Sequence, residues 1–250
     1  MCTLAAYVRC TPSLPLLVAA NRDEFLDRPA ADPQVLVVDP WAFGGQDLSA
    51  GGTWFGVNRA GMVVGLLNRR RPGGPDPSRI SRGLLALTML QQEGVAAACR
   101  ALDSIDGGAY NAFNLLVADR HGAIVATNRE EEVQVAHLDP GIHLLTNLEV
   151  NDPTCPRIAK SWQRFRSVDL AAASDPATLV PSLQSILSDH STALDPRADV
   201  IDTLCVHLPG YGTRSSSIVA AGASGRLRFW HAAGPPCRTA YRELSLPASG

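Results

Sequence analysis

The chain has 250 residues, 46% of them hydrophobic and 18% charged, a composition that supports a packed core and excludes a disordered chain. Its 22 Lys and Arg against 24 Asp and Glu leave a net charge of −2, so there is no electrostatic basis for binding nucleic acid. The six cysteines (Cys2, Cys10, Cys99, Cys155, Cys205 and Cys237) include no C-x-x-C pair, match no zinc or iron–sulfur spacing, and read as reduced thiols of a cytoplasmic protein.

Residues 2–9 and 15–22 read as two strands around a Cys-Thr-Pro-Ser turn. This opening lacks the positive n-region of a signal peptide, and Arg9, Pro12 and Pro15 break its apolar run. "TWFGVN" (53–58) and "GMVVGLLN" (61–68) read as a second hairpin. The basic cluster Arg69-Arg70-Arg71 sits in a Pro/Gly-rich loop and reads as solvated. Ser78 or Ser81 is placed to cap a helix reaching about residue 91, and a second short helix follows to about 103. Then come strands in "FNLLVAD", "AIVATN", "EVQVAHL" and "GIHLLTN". A helix over 156–168 carries Ile158, Trp162 and Phe165 on one face, a stripe that reads as core. Another helix covers 176–189, and strands near 202–207, 213–221 and 226–232 close the chain. The strands are joined mostly as hairpins, which predicts largely antiparallel sheets in one α+β domain over residues 1–250. No stretch approaches membrane-crossing length. The histidines are scattered without metal-type spacing, and no G-x-S-x-G, P-loop or dinucleotide fingerprint is present.

Two features stand out: Cys2 directly after the initiator, and the polar run Asn21-Arg22-Asp23-Glu24 that ends an apolar segment. A hairpin turning near Pro12 sets Cys2 opposite Arg22, with Asn21 and Asp23 on either side. Removal of Met1 would give Cys2 both a thiol and a free α-amine. The two titrate near about 8.5 and about 8 when unperturbed, so one residue supplies nucleophile and general base. Arg22 would favour the thiolate and Asp23 could orient either group. The same residues also suit an ordinary N-terminus beside a solvated turn, and composition and spacing leave both readings open.

Cys2 with the intact "NRDE" resembles the NRDE family, the transport and Golgi organisation 2-like proteins. "GGTWFGVNRAG", "NLLVAD", "LLTNL" and "YGTRSSSIV" are similar to that family's later blocks. The resemblance runs from residue 2 to about 220. It implies the αββα sandwich of N-terminal-nucleophile hydrolases, two stacked antiparallel sheets covered by helices on both outer faces. A more distant likeness, to choloylglycine hydrolases and penicillin V acylases, implies oxyanion roles for Asn68 in "GLLN" and Asn147 in "LTN", and a supporting arginine at Arg214. Those enzymes carry Arg-Asn-x-Asp where this chain has Asn-Arg-Asp-Glu. Whether Asn21 or Arg22 stands for their arginine, and Asp23 or Glu24 for their aspartate, stays open.

The expected function is hydrolysis of a linear, non-peptide amide through an acyl-enzyme on Cys2, with Asn21, Arg22, Asp23, Asn68, Asn147 and Arg214 around it. This chemistry calls for no metal or organic cofactor. The alternative is a non-catalytic carrier of haem or an acyl lipid on the same fold; Cys155-Pro156 is similar to a Cys-Pro pair of some haem-responsive proteins.

Overall fold

The computed structural model describes residues 2–69, 73–129, 131–191 and 202–246; Met1 and, of the basic cluster, Arg70 and Arg71 lie outside them. The chain begins with β1 (Thr3–Val8) and β2 (Leu16–Phe25). Two strands follow where the sequence suggested none, β3 (Ala30–Val37) and β4 (Ala42–Asp47). The expected second hairpin is β5 (Phe55–Asn58) with β6 (Val63–Asn68). Helices α1 (Arg82–Leu90) and α2 (Val95–Leu102) come next. Ser81 is the residue before α1, but its side chain makes no capping hydrogen bond. Strands β7 (Phe113–Asp119), β8 (Gly122–Asn128), β9 (Val133–Leu138) and β10 (Gly141–Leu145) match the four expected segments. Helix α3 (Pro156–Arg166) begins on a proline, which suits a first helical turn. The segment expected as one helix over 176–189 is a 3-10 turn, Pro176–Leu179, leading into α4 (Val180–Leu187). The strand expected near 202–207 is only the short β11 (His207–Leu208). β12 (Tyr211–Ala221), β13 (Leu227–Ala232) and β14 (Arg242–Leu244) complete the described chain.

Among the described residues the strands make two seven-stranded sheets. The first runs β10-β1-β2-β12-β13-β14, with β11 against β12; the second runs β3 to β9 in chain order. All these strand pairs are antiparallel. Alternation along each strand sorts its side chains onto two faces. Leu4, Ala6, Val8, Leu16 and Val18 of the first sheet meet Phe43, Phe55, Val57, Val63 and Leu67 of the second in a core between the sheets. Ala5, Tyr7, Leu17 and Ala19 face the other way, against Ile158 and Phe165 of α3 and Leu183 and Leu187 of α4. On the far side, Val64, Leu115 and Val117 of the second sheet pack under Leu85, Met89 and Leu102 of α1 and α2. The layers are therefore helix, sheet, sheet, helix, as the α+β αββα expectation required. No helix is long and apolar enough to cross a membrane among the described residues.

Two local features shape the surroundings of Cys2. β2 runs three residues past its expected end because β12 lies beside it, pairing from Tyr211 opposite Phe25 to Ala221 opposite Leu16. The NRDE run is thus inside a central strand and not in a turn. In β4, a Cβ on Gly45 would lie 2.3 Å from the Trp54 ring. Only glycine leaves room for Trp54 to lie across the strand.

Candidate functional site

Cys2 immediately precedes β1, and the hairpin register brings Thr3 opposite Asn21. One further step sets Cys2 opposite Arg22, the pairing expected from a turn near Pro12. On the other side of β1, Leu4 lies opposite Leu145 of β10. That pairing ends at Leu145, and Asn147 is buried two residues beyond it. Directly opposed residues share a sheet face, so Arg22 and Cys2 fall on the face that meets the second sheet.

There Cys2 and Arg22 border a small cavity of about 20 Å³. Its walls include Cys2, Arg22 and Ser215 from the first sheet, and Trp54 and Leu67 from the second. The Arg22 guanidinium lies over the Trp54 ring, 4.0 Å from its centroid. This cation–π contact holds a cation beside the thiol. Gly65 supplies clearance, since a Cβ there would sit 2.4 Å from Leu4 Cδ1. Burial pushes the Cys2 thiol above its ordinary value; the Asp23 charge adds to the rise, and Arg22 works against it. The resting sulfur is therefore a protonated thiol near neutral pH, and an attack by it needs a base.

Asn21 and Asp23 leave β2 on the opposite face, toward the helices. The Asn21 amide donates to the carbonyls of Leu187 (2.9 Å) and Leu204 (2.8 Å) and accepts from the Ser216 hydroxyl (2.6 Å). It pins the end of α4 to the sheet. The Asp23 carboxylate accepts from Arg157 Nη1 of α3 (2.9 Å) and from the Thr213 hydroxyl (2.7 Å). Both side chains of the Asp23–Arg157 pair are buried. Arg157 also donates to Thr3 Oγ1 (3.0 Å), so α3 braces the residue next to Cys2. What Asp23 turns toward Cys2 is its backbone carbonyl, 3.9 Å from the sulfur; the same oxygen accepts from the Tyr211 hydroxyl at 3.1 Å. Glu24 returns to the Arg22 face and lies 4.0 Å from Arg28.

Arg214 sits at an irregularity in β12, between Thr213 and Ser215. Its Nη1 donates to the carbonyls of Phe25 (3.0 Å), Leu26 (2.6 Å) and Arg28 (3.1 Å). These are carbonyl partners, and they fix the chain directly after NRDE. Asn68 does not join Cys2. It is exposed at the end of β6 and lines a second cavity with Arg69, Arg82 and Asn111. Alternation explains this: Leu67 faces the sheet interface, so Asn68 faces the α1 side.

Four participants escaped the sequence reading. Trp54 and Arg157 come from distant elements and carry no local signal. Ser215 and Ser217 were passed over as neighbours of Arg214. Ser217 Oγ lies 2.9 Å from His231 Nδ1. Burial lowers the His231 imidazole from its ordinary value, so it stands neutral near pH 7.

The fold is shared with solved amidohydrolases. The chain is similar to penicillin V acylase from Agrobacterium tumefaciens (TM-score 0.59, 14% identity, 92% of this chain and 82% of that one). It is also similar to the Caenorhabditis elegans ortholog of N-acylethanolamine-hydrolyzing acid amidase (TM-score 0.52, 12% identity, 87% and 92%). These likenesses establish the N-terminal-nucleophile hydrolase fold and no more. Among curated proteins, the human Transport and Golgi organization protein 2 homolog is 28% identical over 240 residues, covering 86% of this chain and 84% of that one. The bovine homolog is 29% identical over 240 residues, with the same coverage. The family description "Transport and Golgi organisation 2" matches residues 1–233, and the chain belongs to that family.

Proposed function

We propose that the protein is an N-terminal cysteine amidohydrolase acting on a linear, non-peptide amide of a small molecule in the cytoplasm. The observation that carries this reading is the register of the first hairpin, which brings Cys2 beside Arg22 at a small cavity between the sheets. Once Met1 is removed, the Cys2 α-amine takes the thiol proton as sulfur attacks the carbonyl carbon. The C–N bond breaks, the amine leaves with that proton, and a thioester remains on sulfur. Water, deprotonated by the same amine, then cleaves the thioester to a carboxylic acid. The Asn147 amide is the oxyanion donor in this scheme, a role typically worth roughly 100- to 1000-fold in turnover. Arg22 favours the thiolate as it forms. Asn21, Asp23 and Arg214 act as positioning residues, because their side chains hold α4, α3 and the turn after β2. Asn68 has no oxyanion role here, since its side chain lines the second cavity.

A volume of about 20 Å³ is far below the roughly 300 to 1,000 Å³ of ligand sites, so cavity size does not favour an acyl group over haem. The test is intact mass after incubation with an electrophilic acyl probe. A chain that begins at Cys2 and gains one acyl group is expected, with no adduct on Cys2→Ala. Cys2→Ser should label more slowly, because a hydroxyl ionises far less than a thiol. Retained Met1, no adduct, and haem or acyl-lipid binding undiminished in Cys2→Ala would replace the hydrolase with a carrier.

A further inference from the structure

Behind the first sheet, away from the Cys2 cavity, three segments bring four metal-type donors together. His190 follows α4, Cys205 precedes β11 and His207 begins it, and Cys237 lies between β13 and β14. One donor atom from each lies within 4.8 Å of every other. Cys205 Sγ is 3.6 Å from Cys237 Sγ and 3.6 Å from His207 Nε2, and His207 Nε2 is 3.3 Å from Cys237 Sγ. An ion with Zn–S near 2.3 Å and Zn–N near 2.0–2.1 Å in tetrahedral geometry requires sulfur–sulfur separations of about 3.8 Å and sulfur–nitrogen separations of about 3.5 Å. The spacings among Cys205, His207 and Cys237 fall within about 0.2 Å of those values, and His190 offers a donor within 4.8 Å of each.

We propose that His190, Cys205, His207 and Cys237 form a structural zinc site. Two thiolates and two imidazoles in a tetrahedron are a donor set characteristic of zinc. All four positions are protein ligands, which describes a closed structural centre and leaves no place for a substrate. A second observation concerns orientation. His190 donates Nδ1–H to the Cys205 carbonyl at 3.1 Å, which fixes the tautomer with its lone pair on Nε2. Metal-bound histidines are commonly held by such a bond to a backbone carbonyl. The Cys205 backbone N–H in turn donates to the Asp189 carbonyl at 2.9 Å. The binding balances simply: two thiols release their protons to solvent as the ion binds, and the imidazoles bind neutral.

The position gives the site a use. Asn21 holds the carbonyls of Leu187 and Leu204. Thr213 Oγ1 accepts from the Val206 N–H at 2.9 Å and donates to Asp23. An ion joining His190, Cys205 and Cys237 would fasten the same segments from outside, behind the strand that carries NRDE. Sequence spacing missed the cluster because its ligands are joined by folding rather than by a short motif. Only Cys205 and His207 are close in sequence.

The test starts with reduced protein purified under argon from zinc-supplemented cells. Elemental analysis should find zinc equimolar with the chain after dialysis. Replacement by Co(II) should give the intense visible bands of tetrahedral cobalt, with thiolate-to-cobalt charge transfer in the near ultraviolet. Cys237→Ser and His190→Ala, both away from the buried core, should each weaken zinc retention at least about tenfold, with circular dichroism reporting whether the fold persists. Chelation should lower the thermal midpoint of wild type and move these variants much less. Cys99→Ser and Cys2→Ser should keep full zinc, so the site and the hydrolase reading fail independently. Three outcomes would overturn the proposal. One is substoichiometric zinc in folded wild type. Another is a cobalt spectrum without the thiolate band. The third is a Cys205–Cys237 disulfide whose reduction still leaves the folded protein unable to take up metal.

Discussion

Arg22 and Asp23 are adjacent in sequence, yet their side chains leave β2 on opposite faces, one beside the Cys2 cavity and the other against α3. Hairpin arithmetic around Pro12 was enough to bring Cys2 to Arg22, since one tight turn fixes every pair along β1 and β2. Period-two alternation would also have separated Asn21 and Asp23 from the thiol, had the strand been carried past Arg22. The sequence reading ends that strand at Arg22 because four polar residues in a row do not look like the middle of a sheet. They are tolerated there because Asn21 and Asp23 find buried partners. The Arg22 charge favours the thiolate, while burial, the larger influence, opposes it. The alkylation rate of Cys2 should therefore rise with pH to a midpoint above the roughly 8.5 of a free thiol. In Arg22→Gln, which keeps bulk but removes the cation, that midpoint should move higher still. Rates with a neutral alkylating reagent, read by mass across a pH series, check this. A midpoint that stays put or falls in the variant would show that Arg22 does not act on the sulfur.

Elements with clean periodicity were legible: β7, β8, α3 and the first hairpin all lie where their patterns put them. β3 and β4 were not. β3 contains Pro33, has no buried residue and pairs irregularly with β4 at the sheet edge, a position where proline is admitted. β4 is Ala-Phe-Gly-Gly-Gln-Asp, and its glycines read as loop. They serve close approach instead, since a Cβ on Gly44 would lie 2.3 Å from the Phe55 carbonyl oxygen. Helix α3 was placed correctly, with Ile158 and Phe165 buried as expected, but its Arg157 gave no sign of reaching Asp23. Removing one partner of a buried ion pair typically costs about 3–5 kcal/mol, because the other charge stays buried and uncompensated. Arg157→Met should therefore destabilise the protein by about that much. The double variant Arg157→Met/Asp23→Asn should lose less than the two single changes together. Urea titrations of all four proteins measure the coupling. Strict additivity would mean that the pair does not dock α3 onto β2.

At the scale of the whole molecule, hairpin connections made the antiparallel sheets legible, and the family resemblance supplied the layering. The pairing of β2 with β12 was not legible, because it joins residues nearly two hundred positions apart and no local pattern encodes such a contact. That pairing gives the first sheet its centre, and Phe229 of β13 ties this sheet to the second. Its ring is fully buried and meets Phe43 at 5.7 Å and Phe55 at 5.9 Å between centroids, both edge to face. Phe43 and Phe55 belong to β4 and β5, so this three-ring cluster spans the interface. Truncating a buried phenylalanine to alanine typically costs about 3–5 kcal/mol. For a chain of this size that lowers the thermal midpoint by about 6–20 °C. The sheets share one core, and neither can expose its inner face while the other stays covered. Phe229→Ala should therefore lower the midpoint without splitting the transition. Far-ultraviolet circular dichroism follows both sheets, while tryptophan fluorescence follows Trp41 and Trp54 in the second sheet's half of the interface and Trp162 and Trp230 between the first sheet and the helices. Coincident curves at the lower temperature are expected. Two separated transitions in the variant would mean that the sheets are stabilised independently and that the interface is not a common core.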